Sequence, residues 1–291
     1  GNSIESGGNY NVAVGDEAGT AITTGDNNVF IGYTAGDAVT AASDNIGIGY
    51  NALGGANTGA ENVAIGSNAL DANTSGVSNT AMGYNALGAN TTGSYNIGIG
   101  QSAGGAITTG QKNTLMGFGA GDATTTADNN TAVGYDALTA NTTGTRNVAV
   151  GALALDANTT ASNNNAVGYS AMSANTTGAG NQAFGDSALA ANTTGNFAMS
   201  ANTTGFDNVA VGAIALDANT TGNSNTAVGY GSLSSDTLGD RAVAIGKNAL
   251  ATQNFTSTTD NYNTAVGFAA GTAVTTGTNN TFVGGLAGDA I

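Results

Sequence analysis

The side chains in this sequence that could carry out chemistry are almost all carboxylates. Six of them, Asp37, Asp71, Asp122, Asp156, Asp217 and Asp289, fall at one phase of a 17-residue period. A carboxylate acts as a general acid or base, or holds a cation, when a second group is placed beside it. No two of the six fall in successive periods, so neighbouring copies present no carboxylate pair. That spacing fits avoidance of stacked like charge better than a catalytic dyad or a cation ladder. The calcium-binding nonapeptide phrase GGxGxDxUx is missing. His and Cys are absent, so there is no disulfide framework and no zinc ribbon, and only carboxylates could serve in catalysis. The sequence predicts no enzyme, no cofactor and no metal site.

Charge and composition narrow the class further. The net charge is −15, and only Lys112, Arg146, Arg241 and Lys247 are available to phosphate, so no nucleic acid partner is expected. No apolar run reaches the ~18 residues of a membrane span. Charged residues make up 8% of the chain, against roughly a quarter in ordinary globular domains. Low charge without any Pro does not read as disorder either. Position 1 is Gly rather than Met, so the chain is expected to be a processed product or a fragment, with any signal or anchor segment outside it.

What must position the side chains is a repeat. The Gly that closes the phrase "NxAVG" falls at 15, 32, 49, 66, 83, 100, 117, 134, 151, 168, 185, 212, 229, 246, 267 and 284. Thirteen of the fifteen intervals are 17 residues. The interval of 27 reads as two periods less seven, and the interval of 21 as one period plus four. These expectations give a lead-in over 1–10 and a single repeat domain over 11–291, irregular near 186–207 and 251–262.

We number each unit from 1 to 17, with Asn130 at 1 and Gly134 at 5. Position 1 is Asn11, Asn28, Asn45, Asn62, Asn79, Asn96, Asn113, Asn130, Asn147, Asn164, Asn181, Asn208, Asn225, Asn263 and Asn280, with Ala242 the exception. Position 2 is mostly Val, Ile or Thr, position 3 usually Ala or Gly, and position 4 always bulky and apolar. Alternation with period two reads as a strand. An invariant Gly at 5 implies a positive φ or a close backbone neighbour. The "NTTG" at 12 to 15 is turn chemistry, with Gly expected to supply the positive φ. Gly and Asn breakers exclude a helix, and the period is too short for ankyrin, TPR or propeller units. The prediction is an all-β, parallel β-solenoid or β-roll of sixteen 17-residue coils. At ~4.8 Å per coil it would form a rod of roughly 75 Å. In-register stacking would set the position 1 Asn side chains in one hydrogen-bonded column.

The coils are of two kinds. Most carry Leu, Ile or Met at 9 and Asn at 12. Six carry Gly at 9, with Ile or Val usual at 12: Gly19 with Ile22, Gly36 with Val39, Gly104 with Ile107, Gly121 with Thr124, Gly271 with Val274, and Gly288 with Ile291. The exchange reads as one core volume filled from a different point. The Gly type comes in adjacent pairs, which suggests a local change of cross-section.

The bulky residues at 2, 4 and 9 are expected to form the core. Three such residues per coil bury little apolar surface against the backbone entropy lost in ordering the coil. A lone coil stack looks marginal, so a homo-oligomer is expected, most simply a trimer.

The phrases "NVAVG", "NVAIG" (Asn62–Gly66) and "AVAIG" (Ala242–Gly246), followed by the small-residue "NAL", resemble the head repeats of YadA-type trimeric autotransporter adhesins. They are also similar to repeats in phage tail-fibre-like proteins. The resemblance covers the chain from Asn11 onward. It implies a trimeric left-handed parallel β-roll on an extracellular fibre, with a core at the trimer axis. It carries over no ligand-contact residues.

Three surface features have a functional and a structural reading. Tyr33, Tyr50, Tyr84, Phe118, Tyr135, Tyr169, Tyr230 and Phe268 share position 6. They could stack on sugars, but cover for the Gly bend or packing between chains is favoured. The turn "ANTTG" is formally a glycan-acceptor sequon at Asn90, Asn141, Asn158, Asn175, Asn192, Asn202 and Asn219. Repetition of a good turn creates such sequons automatically. Thr at 13 and 14 raises ice binding as a minor alternative.

The functional expectation is architectural: an extracellular structural or adhesive fibre at a cell surface or on a virion. The alternative is a phage tail-fibre shaft or receptor-binding head. A cell-surface or glycan receptor is a possible partner. The spacing across abutted ends, close to the 21 residues tolerated within the chain, further suggests head-to-tail stacking into a filament.

Overall fold

Each copy of the phrase forms one three-residue strand, and the glycine at position 5 ends it. The computed structural model describes residues 8–188, 202, 204–212 and 214–290. The chain divides into two units, Gly1–Thr145 and Arg146–Ile291. The first holds β1 (Val12–Val14), β2 (Val29–Ile31), β3 (Ile46–Ile48), β4 (Val63–Ile65), β5 (Thr80–Met82), β6 (Ile97–Ile99), β7 (Thr114–Met116) and β8 (Thr131–Val133). Each strand pairs in parallel with the next, one repeat later: Val12 lies opposite Val29, and Thr114 opposite Thr131.

The second unit holds β9 (Val148–Val150), β10 (Asn165–Val167), β11 (Gln182–Phe184), β12 (Val209–Val211), β13 (Thr226–Val228), β14 (Gly239–Asp240), β15 (Val243–Ile245), β16 (Thr259–Asp260), β17 (Thr264–Val266) and β18 (Thr281–Val283). The short β14 and β16 pair with each other, and the others continue the in-register parallel pattern. There is no helix among the described residues. Both units are parallel β-solenoids with one coil per repeat.

The coil bends through left-handed backbone at three positions besides the strand-ending glycine. Positions 7, 9 and 17 take φ near 50–60° on ordinary residues, as at Asn85, Leu87 and Tyr95. A bulky residue there is strained. Leu53, Leu70, Leu87 and Leu138 tolerate it because each is fully buried. Gly83 shows why position 5 admits only Gly. Its φ is +137°, and a Cβ would lie 2.6 Å from the carbonyl oxygen of Gly100 in the next coil. The Gly of "NTTG" differs from expectation: Gly93 and Gly144 do not have positive φ. A Cβ on Gly93 would instead press on the Gly110 carbonyl, so this Gly serves close stacking of coils.

The core is not where the alternation rule puts it. Position 3 points into the coil, and positions 2 and 4 point out. Ala64, Ala81 and Ala132 are fully buried, whereas Val63, Ile65, Thr131 and Val133 are only half-buried. The expected core of 2, 4 and 9 is therefore corrected to 3, 8, 9 and 12, together with the Asn at 1. The lumen of a 17-residue coil is too narrow for two β-branched side chains on one strand, and Ala with Asn amides fills it.

This geometry explains the paired Gly-type coils. In each pair the second coil carries the exceptional large residue at 3: Phe30, Leu115 or Phe282. A Cβ on Gly36 would lie 2.5 Å from the Phe30 ring, and one on Gly19 3.2 Å from it. Gly104 and Gly121 stand in the same relation to Leu115, at 2.7 and 2.8 Å. One large side chain fills the space that two Leu at position 9 would share. Ile22, Val39, Ile107 and Val274 complete that interior at 12, all buried. Ile291 lies outside the described residues.

The strands on either side of the 27-residue interval are sheet neighbours. β11 pairs directly with β12, Gln182 opposite Val209. The Asp207 amide donates to the Ala179 carbonyl at 3.3 Å. The turn ending at Gly205 thus follows the turn ending at Gly178; residues 189–201 between them lie outside the described residues.

Candidate functional site

Two features repeat through every regular coil and are open to function: the inner asparagine columns and the outer sheet face. At position 1 the column works in two directions. Asn113 Nδ2 donates across its own coil to the Ala127 carbonyl at 2.8 Å. Its Oδ1 accepts the backbone N–H of Asn130 in the next coil at 3.0 Å. The same pair of bonds links Asn28, Asn62, Asn79 and Asn96 to their neighbours. In the second unit it links Asn147 to Asn164 and Asn208 to Asn225. Direct amide-to-amide contact is secondary, at 3.1–3.2 Å where present. The principal vertical bond therefore runs from backbone to side chain, and the amide N–H2 clamps each coil shut.

The one Ala in the column is repaired locally. Ala242 still donates its N–H to Asn225 Oδ1 at 2.9 Å, but has no side-chain oxygen for the next coil. The Asn263 N–H turns instead to Asn261 Oδ1, at 2.9 Å. Asn261 is buried and belongs to the four-residue excess, and Phe255 from the same segment packs inside. The excess thus replaces the missing acceptor. At the rim Arg241 pairs with Asp260 and lies 5.7 Å from the Tyr262 ring centroid.

The sequon asparagines point inward. Asn90, Asn141, Asn158, Asn175, Asn202 and Asn219 are no more than 2% exposed. Each Nδ2 donates to the carbonyl three residues on, at 2.9–3.1 Å, which closes the turn. The glycan-acceptor reading does not fit this burial, because the amide nitrogen a glycan would need is inside the coil. Asn192 lies outside the described residues. The sequence carried a signal for this inward direction: position 12 alternates between Asn and Ile or Val, as an interior slot does.

Thr at 13 also faces a neighbour. The hydroxyls of Thr74, Thr91, Thr108 and Thr125 donate to the carbonyl of the following coil at 2.9–3.2 Å. Thr at 14 is exposed. The two columns do not lie on one flat strand face.

The outer face is the larger feature. Positions 2 and 4 carry Val, Ile, Thr, Met, Phe, Asn or Gln and no charged residue in any copy of a chain that bears 19 acids. Ile31, Met82, Ile97, Met116, Phe184 and Ile245 are exposed. Beside them stand the aromatics of position 6. Tyr33 stacks on Tyr50 with ring centroids 5.8 Å apart, and Phe118 on Tyr135 at 5.4 Å. Their faces are turned toward each other along the stack, which leaves ring edges outermost. Sugar stacking needs free faces, so these four rings extend the uncharged strip instead.

The position 10 carboxylates sit at the coil's shoulder. Burial raises Asp71, and burial raises Asp217 to about 6. Asp122 is raised by burial and then by the like charge of Asp136. No group of three acids suited to a metal ion occurs among the described residues. Compared with protein-family models, curated proteins and solved structures, the chain matches none.

Proposed function

We propose that this chain is an architectural element: an extracellular rod at a cell surface or on a virion, built from stacked coils and assembled laterally with copies of itself, most simply as a trimer. The observation that carries this reading is the outer sheet face. The coil interior uses Ala, Leu and Asn, and leaves the β-branched residues of positions 2 and 4 pointing out. Within each unit, an uncharged strip of that kind, apolar at every position 4, on a strongly acidic chain marks an interaction surface. Elsewhere the surface is acidic, so copies repel unless they meet along the uncharged strip. The strip repeats with the coil, so a second copy in parallel register meets it at every step.

The resemblance to adhesin heads and tail-fibre repeats supports the extracellular placement and allows a receptor-binding role for the rod's exposed edges. The reading involves no catalytic step. Its test is to place Asp at Ile48, Ile65 and Ile99, all on the outer face of the first unit. The β-sheet signal in circular dichroism should persist while the assembly falls to single chains. An unchanged assembly would remove the outer face as the contact.

A further inference from the structure

In the second unit the inner column at position 12 changes its chemistry. It runs Asn202, Asn219, Asp236, Gln253. Asn219 Nδ2 donates back to Asn202 Oδ1 at 3.2 Å, which sets the direction of the column: each amide N–H2 reaches the coil before it. Asn219 Oδ1 is buried and receives no hydrogen bond. The next coil offers Asp236, which as a carboxylate has no proton to give. The coils are closely stacked on either side of this point. The Leu216 amide donates to the Ser232 carbonyl at 2.9 Å, and the Thr220 amide to the Thr237 carbonyl at 3.0 Å.

Above Asp236 the situation is the reverse. Its Oδ1 accepts the Gly239 and Phe255 amides at 3.1 Å each, and its Oδ2 accepts Gln253 Nε2 at 2.8 Å. Gln253 Oε1 is held in turn by Asn263 Nδ2 at 2.7 Å. Asp236 is 1% exposed. No cation among the described residues reaches it. Arg241 is engaged by Asp260 at the rim, Lys247 lies over the Tyr230 ring on the outer face, and Asp240 accepts the Asn223 amide. Asp217, on the coil below, belongs to the shoulder column.

We propose that Asp236 is a proton-operated latch between the coil of Asn219 and its own: protonated, its Oδ–H donates to Asn219 Oδ1 and the column runs unbroken; ionised, it leaves two acceptors in successive coils. The proton comes from solvent and returns to it. The protonated oxygen keeps lone-pair capacity for the donors above. Burial raises the Asp236 carboxyl, and the donors from Gln253, Phe255, Gly239 and Leu238 lower it in part. With the folded value above the unfolded one, the latch contributes fully at pH below the unfolded value. It is lost as pH rises through the folded value. The seam between these coils therefore tightens in mild acid.

The substitution Asp236→Asn places a permanent N–H2 where the proton would be. Amide exchange at Thr220, corrected for intrinsic rate, should slow about fivefold in the native chain between pH 7.5 and 3.5, the worth of about one net hydrogen bond. In D236N it should be slow at both. Equal protection at both pH values in the native chain, or the same pH dependence in D236N, would overturn the latch. Should D236N not fold, carbon NMR of the Asp236 carboxyl in the native chain decides. Titration above the ordinary Asp range supports the latch, and full ionisation from pH 4 upward refutes it.

Discussion

The ring of Phe30 occupies the space that a side chain on Gly36 would need: a Cβ there would lie 2.5 Å from it. The two residues are six apart in sequence and belong to one coil, and Gly19 in the coil before yields to the same ring. One large residue at position 3 thus replaces two at position 9.

This coupling predicts a non-additive cycle. Gly36→Leu alone should destabilise by about 1–3 kcal/mol through overpacking. Phe30→Ala alone should cost about 3–5 kcal/mol as a cavity. With Gly19→Leu added to both, positions 3 and 9 carry the residues of a Leu-type coil while Ile22 and Val39 remain at 12, and part of the loss should return. Denaturant melts of the four chains measure the coupling, and simple additivity would show that the ring and the glycines are independent.

The position 1 column predicts a large cost for small changes. Asn113→Ala removes the clamp on the Ala127 carbonyl and the acceptor for the Asn130 amide. Both partners stay buried, so a loss of about 2 kcal/mol or more is expected. Asn261→Ala should act alike, because Asn261 supplies the acceptor that Ala242 lacks. A change under about 0.5 kcal/mol in thermal or denaturant melts would mean that water replaces the column.

Much of this was legible in the sequence, and the reasons for the rest are physical. The 17-residue period, the strand at positions 2 to 4 and the bend at the position 5 glycine follow from local pattern alone. The direction of the strand does not. Large apolar residues usually point inward, and only a lumen too narrow for them reverses the rule. The clue lay in Phe30, Leu115 and Phe282: where position 3 is large, position 9 is Gly in that coil and the one before. Volumes that compensate must share an interior. The sequons read as a by-product of the turn, but their direction is not legible, since an Asn in a polar turn looks exposed until Asn141 is seen bonding the Gly144 carbonyl inside the coil.

Burial of those asparagines has a consequence for secreted material. Peptide mapping of the monodisperse, folded fraction from a glycosylating host should find Asn90, Asn141, Asn158, Asn175 and Asn219 unmodified. A glycan on any of them in a cooperatively melting chain would contradict the inward orientation.

Acid should stabilise the fold. Asp71, Asp122 and Asp217 are all raised in the folded chain, Asp217 to about 6. A raised carboxyl binds more protons folded than unfolded, so its contribution is complete below the unfolded value of about 3.9 and fades as pH rises through the folded value. The thermal midpoint should be higher at pH 4.5 than at 7.5, and Asp217→Asn should flatten the dependence between pH 4 and 6. A midpoint that falls on acidification would reverse the assignment.

The central claim is that the outer apolar face joins copies of the chain. Sedimentation equilibrium on the native chain tests it most directly. The account predicts a mass three times the 27.9 kDa of one chain, reduced to a single chain by Asp at Ile48, Ile65 and Ile99. A native chain that sediments as a folded 27.9 kDa monomer at every concentration would contradict it.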